Sequence, residues 1–388
     1  MPNPPPGQVL FFQGMRKAIT TLWVVAAALL LFGLVIVYSA SSAQKGGPIH
    51  FFKMQAVAAV CGTIAAIVLS RIDYRFWNNA KLLVFVGLVC VAFCSLVFLF
   101  PKVNGSRRWV YLAGISLQPS EFARIGLVMV LSAWYDRIGP RAKSFVRGVL
   151  IPGAMLALIV GPVVASPDLG ATLVMCVAAG TVIVAAGVKW HWIGLGAVAA
   201  LALIVVLVMV NPNKRSRMVS YFDSLQGRES TEETSYHQNQ SIEAFVRGGW
   251  KGVGLGKSIQ KHRYLPEANS DFIYAIAAEE FGIFATLSMV IAFSIMLWCG
   301  VYIAFHAADR FGRFMAMGLT VLVTFEAAFN MGMVTGCLPT KGIALPFTSA
   351  GGTSLLASMI AFGLLLSVGM TSADEETAPL MRNAEIEF

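Results

Sequence analysis

The chain has 388 residues, 57% of them hydrophobic and only 13% charged, with a mean hydropathy of +0.72. That balance excludes an ordinary water-soluble globule, because apolar stretches of bilayer-spanning length recur along it. The formal net charge of +9 calls for no nucleic acid, since an anionic membrane surface explains it. The six cysteines (Cys61, Cys90, Cys94, Cys176, Cys299, Cys337) lie in or beside apolar spans. Cys90 and Cys94 share a helix face, but no His or carboxylate joins them. Neither a disulfide framework nor a metal site is expected.

Residues 1–14, ending Leu10-Phe11-Phe12-Gln13-Gly14, read as the remnant of a protease-cleaved expression tag and are set aside, with Met15 the expected native start. Ten apolar spans follow, near 18–39, 51–70, 82–101, 119–136, 148–165, 169–188, 191–210, 272–305, 313–337 and 351–370. The fold class is therefore an all-α integral membrane bundle of about ten transmembrane helices over 15–372. The eighth span is too long for one crossing, which predicts that it begins as a re-entrant or interfacial helix.

An even count puts both termini on one side. Lys and Arg accumulate in the short segments that are cytoplasmic if the N-terminus is, so both ends are expected inside. The one large extracytoplasmic segment is then 211–271, between spans seven and eight. Its first half is polar; its second turns amphipathic at Gln240–Val246 and glycine-rich at Gly248–Gly256. No strand precedes these glycines and no helix opens on them, so a nucleotide-binding loop is disfavoured. Close approach of backbone to a bulky headgroup or membrane surface fits better. Residues 373–388 read as a short, acidic, disordered cytoplasmic tail.

Four polar clusters interrupt the spans. The first runs from Asn104-Gly105-Ser106-Arg107-Arg108-Trp109 to Gln118-Pro119-Ser120-Glu121-Phe122-Ala123-Arg124. Paired guanidiniums at the bilayer edge suit a pyrophosphate, with interfacial anchoring the equal alternative for Arg107 and Arg108. Arg124 lies inside the helix that Pro119 opens and needs a buried counter-charge, for which Asp271 and Glu121 are the candidates. The second cluster, Ser166-Pro167-Asp168-Leu169-Gly170, is a tight turn in which Asp168 is expected to cap the next helix. In the third, Tyr264–Phe272, Glu267 and Asp271 would share one face of a helix. Glu279 and Glu280 follow, Glu280 as a structural partner for a basic residue. Carboxylates against hydrocarbon seldom persist without a task, and Asp271 stands where a loop re-enters the bilayer. The fourth, Leu338–Ser354, holds two prolines, glycines and Lys341 between spans nine and ten. It describes a structured, re-entrant-like loop whose lysine would neutralise phosphate.

These four clusters, in this order over residues 16–370, resemble the SEDS (shape, elongation, division and sporulation) family. Thr340-Lys341-Gly342 looks like the division branch, with the elongation branch second. Small departures are Ser166, Arg124, Ala350 and Asn269-Ser270. The resemblance implies an inverting peptidoglycan glycosyltransferase that polymerises lipid II outside the cytoplasmic membrane, at the division septum. It puts the essential aspartate at Asp271 and implies a class B penicillin-binding protein and divisome regulators as partners. Arg107, Arg108, Glu121, Arg124, Glu267 and Lys341 are the expected substrate-binding residues. No permanently bound cofactor is expected; a divalent cation, Mg2+ or Mn2+, is the alternative aid to the leaving pyrophosphate. A lipid II flippase is the competing class. It would distribute polar residues across the bilayer, whereas here they cluster at one end.

Overall fold

The computed structural model describes residues 6–44, 47–102, 106–112, 115–210, 215–216, 218–219, 233–262, 265, 268–339 and 341–385. Its helices are α1 (Pro6–Ala40), α2 (Gly47–Arg71), α3 (Ala80–Leu96), α4 (Pro119–Ile138), α5 (Ile151–Ala165), α6 (Leu169–Ala185) and α7 (Trp190–Val210). They continue as α8 (Glu233–Gly248), α9 (Ile273–Phe305), α10 (Arg310–Val334) and α11 (Gly352–Glu385). Among the described residues, eight helical stretches are long and apolar enough to cross a membrane: α1, α2, α3, α5, α7, α9, α10 and α11. Of the other two predicted spans, α4 carries Glu121, Arg124, Asp136 and Arg137, and α6 has only 17 residues. Both are enclosed by other helices, which is what lets a charged or short helix sit in such a bundle.

α10 is the central helix, packed on α4, α6, α9 and α11, and α11 lies along α2. The outer faces show Leu88, Val198, Leu201, Ile291 and Trp298. In lipid such exposure carries no hydrophobic penalty. A short antiparallel pair, β1 (Val110–Leu112) and β2 (Ile115–Leu117), precedes α4, an addition that the span pattern did not anticipate.

Three expectations change. α1 already begins at Pro6, inside the segment set aside, and α11 continues to Glu385 where a disordered tail was expected. Glu375 is held there by Arg75, which also pairs with Asp309 at 3.0 Å.

The third change concerns the glycine-rich stretch. α9 breaks at Gly282 (φ 75°, ψ −165°), so the carbonyls of Glu279 and Glu280 lose their helical donors. Unpaired backbone groups at membrane depth are costly. The amides of Val253 and Gly254 fill the gap, at 2.9 and 3.0 Å, and Ile283 N donates to Gly249 O at 3.0 Å. A Cβ on Gly282 would stand 2.5 Å from Trp250 O and 2.6 Å from Gly252 N. The glycines thus bring backbone against the broken helix. The long eighth span resolves into a short, fully enclosed piece, 273–281, and a crossing piece, 283–305.

Gly282→Ala combines a left-handed backbone with a main-chain clash, and the conformation alone costs about 1–3 kcal/mol. Thermal melting of the purified protein should fall by several degrees for this variant. Gly180→Ala, whose added Cβ meets nothing within 4 Å, should leave it unchanged.

Candidate active site

Residues near 44, 51–55, 108–109, 116–121, 168–171, 269–271 and 342–354 meet at one end of the bundle, opposite the Arg75–Glu375 contact. They enclose a cavity of about 560 Å³. Its charged lining comprises two guanidiniums, Arg108 and Arg124, and four carboxylates, Glu121, Asp168, Asp271 and Glu326.

Asp271 sits in a turn just before α9, and the backbone there is tied down residue by residue. The carbonyl of Asn269 accepts from Ala350 N at 2.8 Å. That of Ser270 accepts from Ser349 Oγ at 2.7 Å, and that of Asp271 from Asn330 Nδ2 at 2.8 Å. Asn330, fully buried on α10, spends its other amide hydrogen on Ile343 O at 2.6 Å. One side chain therefore joins the aspartate turn to the last loop. Ser349 Oγ also accepts from Leu345 N, and Gln55 Nε2 of α2 donates to Ser349 O at 2.8 Å. Asn269 Nδ2 reaches Gln44 Oε1 at 2.9 Å. Phe347, at φ 63° and buried, takes a conformation that a bulky residue rarely adopts. The loop is held in that shape by its surroundings. Gly342 completes the fit, since a Cβ there would lie 2.7 Å from Asp271 Oδ2.

Below this turn, Arg124 is buried between Glu121, one turn away on α4, and Glu326 on α10. Two carboxylates share one guanidinium, each taking one of its two terminal nitrogens. Asp168 accepts from Ala171 N at 3.3 Å and so caps α6, while Gln118 Nε2 donates to its other oxygen at 3.2 Å. Arg108 Nε lies 3.8 Å from that same oxygen. Lys341 lines a smaller adjoining pocket of about 80 Å³ together with Arg108, Asp168 and Gly342.

The cavity thus gathers Arg108, Glu121, Arg124, Asp168 and Asp271, with Lys341 next door. Arg107 turns aside and donates to Phe98 O at 2.9 Å; Glu267 lies outside the described residues. Residues 268–272 form turns, not a helix. Glu280 is buried away from the cavity, bonded by Lys261 Nζ at 3.0 Å and Ser39 Oγ at 2.6 Å. Glu279 accepts from Ile259 N at 3.0 Å and from the Ser258 hydroxyl. Together they pin the 250–262 loop to α9. The sequence reading passed over Glu326, Asn330 and Gln55. Each is a polar side chain in an otherwise apolar span, and that signal could have flagged it.

A metal would need several converging donors. Among the described residues no group of three or more His, Cys, Asp or Glu could hold one. Glu121 and Glu326 face Arg124, and Asp168 is engaged by Gln118, so the donor set does not suit a protein-held cation.

The family model described as cell cycle protein, covering FtsW, RodA and SpoVE, matches residues 19–374. The chain belongs to this family. The probable peptidoglycan glycosyltransferase FtsW of Trichlorobacter lovleyi is 37% identical over 364 residues, covering 92% of this chain and 94% of that protein. Its namesake in Geobacter metallireducens is 38% identical over 351 residues, covering 88% and 92%. Among solved structures, a chain from "Structural coordination of polymerization and crosslinking by a peptidoglycan synthase complex" superposes with a TM-score of 0.73. It is 24% identical and covers 90% of this chain and 97% of that one. The rod shape determining protein RodA of Thermus thermophilus gives a TM-score of 0.66 at 22% identity, covering 90% and 95%. At those identities the two structures establish the shared fold.

Glu326→Leu removes one of the two carboxylates that compensate Arg124. A hydrogen bond to a charged group contributes about 1.5–3 kcal/mol, so melting should drop clearly. Glu326→Gln, whose amide oxygen still accepts, should lose less. Wild-type melting of the leucine variant would contradict the assignment.

Proposed function

We propose that this family member is a peptidoglycan glycosyltransferase that polymerises lipid II during septal wall synthesis. The observation that carries the reading is Asp271, a carboxylate in a fixed turn at the wall of a large polar cavity, with Arg108 across it and Lys341 beside it. The relatives' names point to the same chemistry, and their FtsW designation favours division over elongation.

The reaction needs one base and one site of charge neutralisation. Asp271 takes the proton from the acceptor sugar's hydroxyl. The oxygen then attacks the donor's anomeric carbon, and the bond from that carbon to the pyrophosphate oxygen breaks. The lipid pyrophosphate departs as an anion, stabilised by Arg108 and Lys341. A single displacement inverts the anomeric centre, so the paired carboxylates of a glycosidase are unnecessary. Arg124 serves as the buried counter-ion that holds Glu121 and Glu326, not as a phosphate ligand. A divalent cation, if the reaction uses one, would arrive on the pyrophosphate. An apolar groove of about 250 Å³, lined by Leu69, Phe85, Val89, Phe122, Ile125 and Ile360, suits the polyprenyl chain. The cavity sits at one end of the bundle, which favours this reading over a flippase. Within the proposal the cavity faces outward, both termini are cytoplasmic, and the enzyme works in the inner membrane with a class B penicillin-binding protein and divisome regulators.

The test is polymerisation of purified lipid II in proteoliposomes with the transpeptidase partner present. Asp271→Asn and Asp271→Ala should give no glycan strands. Gly342→Ala should slow turnover by up to about a hundredfold, as expected when a reacting group is displaced by an ångström. Gly153→Ala, with open space around its added Cβ, should match wild type. Equal polymer from all variants would remove Asp271 from the chemistry. Transport of lipid II without polymer from wild type would favour the flippase.

A further inference from the structure

α8 buries one face on the bundle through Gln238, Ser241, Ala244 and Gly248. Ser241 Oγ donates to Val334 O of α10 at the cavity end. Its outward face is mixed: Asn239, Glu243 and Arg247 are exposed, but beside them lie apolar side chains that a helix facing only water would not present. Ile242 is 41% exposed, Val246 74% and Trp250, just past the helix, 72%. Ile242 and Val246, four residues apart, share one helix face, and Trp250 and Leu255 at 54% extend the apolar surface along the turn and loop that follow.

Two observations say what covers this surface. The first is level. The crossing piece of α9, 283–305, is about 35 Å long at 1.5 Å per residue. That length matches the hydrocarbon core plus part of the interface, so Gly282 and Phe284 mark the membrane boundary at the cavity end. Trp250 meets Phe284 at that boundary, with ring centroids 6.2 Å apart. The stripe therefore runs on without a gap into the lipid-facing side of α9, where Phe284, Leu287 and Ile291 are exposed. The second is charge. Lys251 and Lys257 are exposed beside the stripe, placed to meet anionic headgroups.

We propose that α8 and the 250–257 loop lie in the membrane interface at the cavity end, with Val246, Trp250 and Leu255 dipping among the acyl chains. Tryptophan at this level and lysines beside it are how interfacial helices are held. The contact has a consequence for the site. The same loop is bonded to Glu279 and Glu280, so lipid and the Asp271 turn grip opposite ends of one short rigid segment.

The test places nitroxide labels on the full chain, with exposed Cys61 and Cys337 replaced, in vesicles of phosphatidylethanolamine and phosphatidylglycerol. Labels at Val246→Cys, Trp250→Cys and Leu255→Cys should collide more readily with oxygen than with a water-soluble nickel chelate, resembling Phe284→Cys. Lys257→Cys should show the reverse preference. All of these positions are exposed, and the melting of each variant checks its fold. Nickel-accessible labels at Val246 and Trp250 would show a solvated face and overturn the proposal. Labels shielded from both reagents would show a protein covering the stripe and would overturn it equally.

Discussion

Backbone that leaves the helix at membrane depth must find its hydrogen bonds inside the protein, and this requirement shapes the whole cavity end of the molecule. The aspartate turn and the last loop are both irregular. Neither has regular secondary structure to rely on. They satisfy one another instead: Ala350, Ser349 and Asn330 take the three successive carbonyls at 269–271. A second irregularity, the break at Gly282, is resolved by the glycine-rich strap. The aspartate turn is thus bracketed by two non-helical joints, the last loop and the break at Gly282.

That arrangement separates positioning from charge. Hydrogen bonds from neutral side chains and main-chain amides fix where Asp271 sits. The charged residues nearby mostly compensate each other, as in the set Glu121–Arg124–Glu326 and the pair Lys261–Glu280. Buried pairs of this kind cost desolvation and are strongly destabilising to break from one side. They hold α4 to α10 and the 250–262 loop to α9.

Much of this was legible in the sequence, for identifiable reasons. The helices announce themselves by apolar length, and Asp271, Arg108, Asp168 and Lys341 announce themselves as charge at a bilayer edge. The partner of Arg124 was half legible: Glu121 stands one helical turn away, whereas Glu326 is distant in sequence and becomes a neighbour only once α4 packs on α10. Asn330 and Gln55 stand out as polar residues in apolar spans, but which loops they clamp needed the tertiary structure. The glycine-rich run was misread because its partner, the kink at Gly282, gives only a single glycine as its signal. Arg107 and Arg108 look equivalent in sequence, and only the fold of the loop sends one to Phe98 O and the other to the cavity.

The claim on which the account rests is that the hydrogen-bonded clamp on its backbone positions Asp271. Asn330→Ala tests it most directly, by measuring lipid II polymerisation alongside lipid II binding and melting in the same preparation. The account predicts a turnover about ten- to a hundredfold below wild type, with binding retained and the protein still folded. Wild-type turnover from that variant would contradict it.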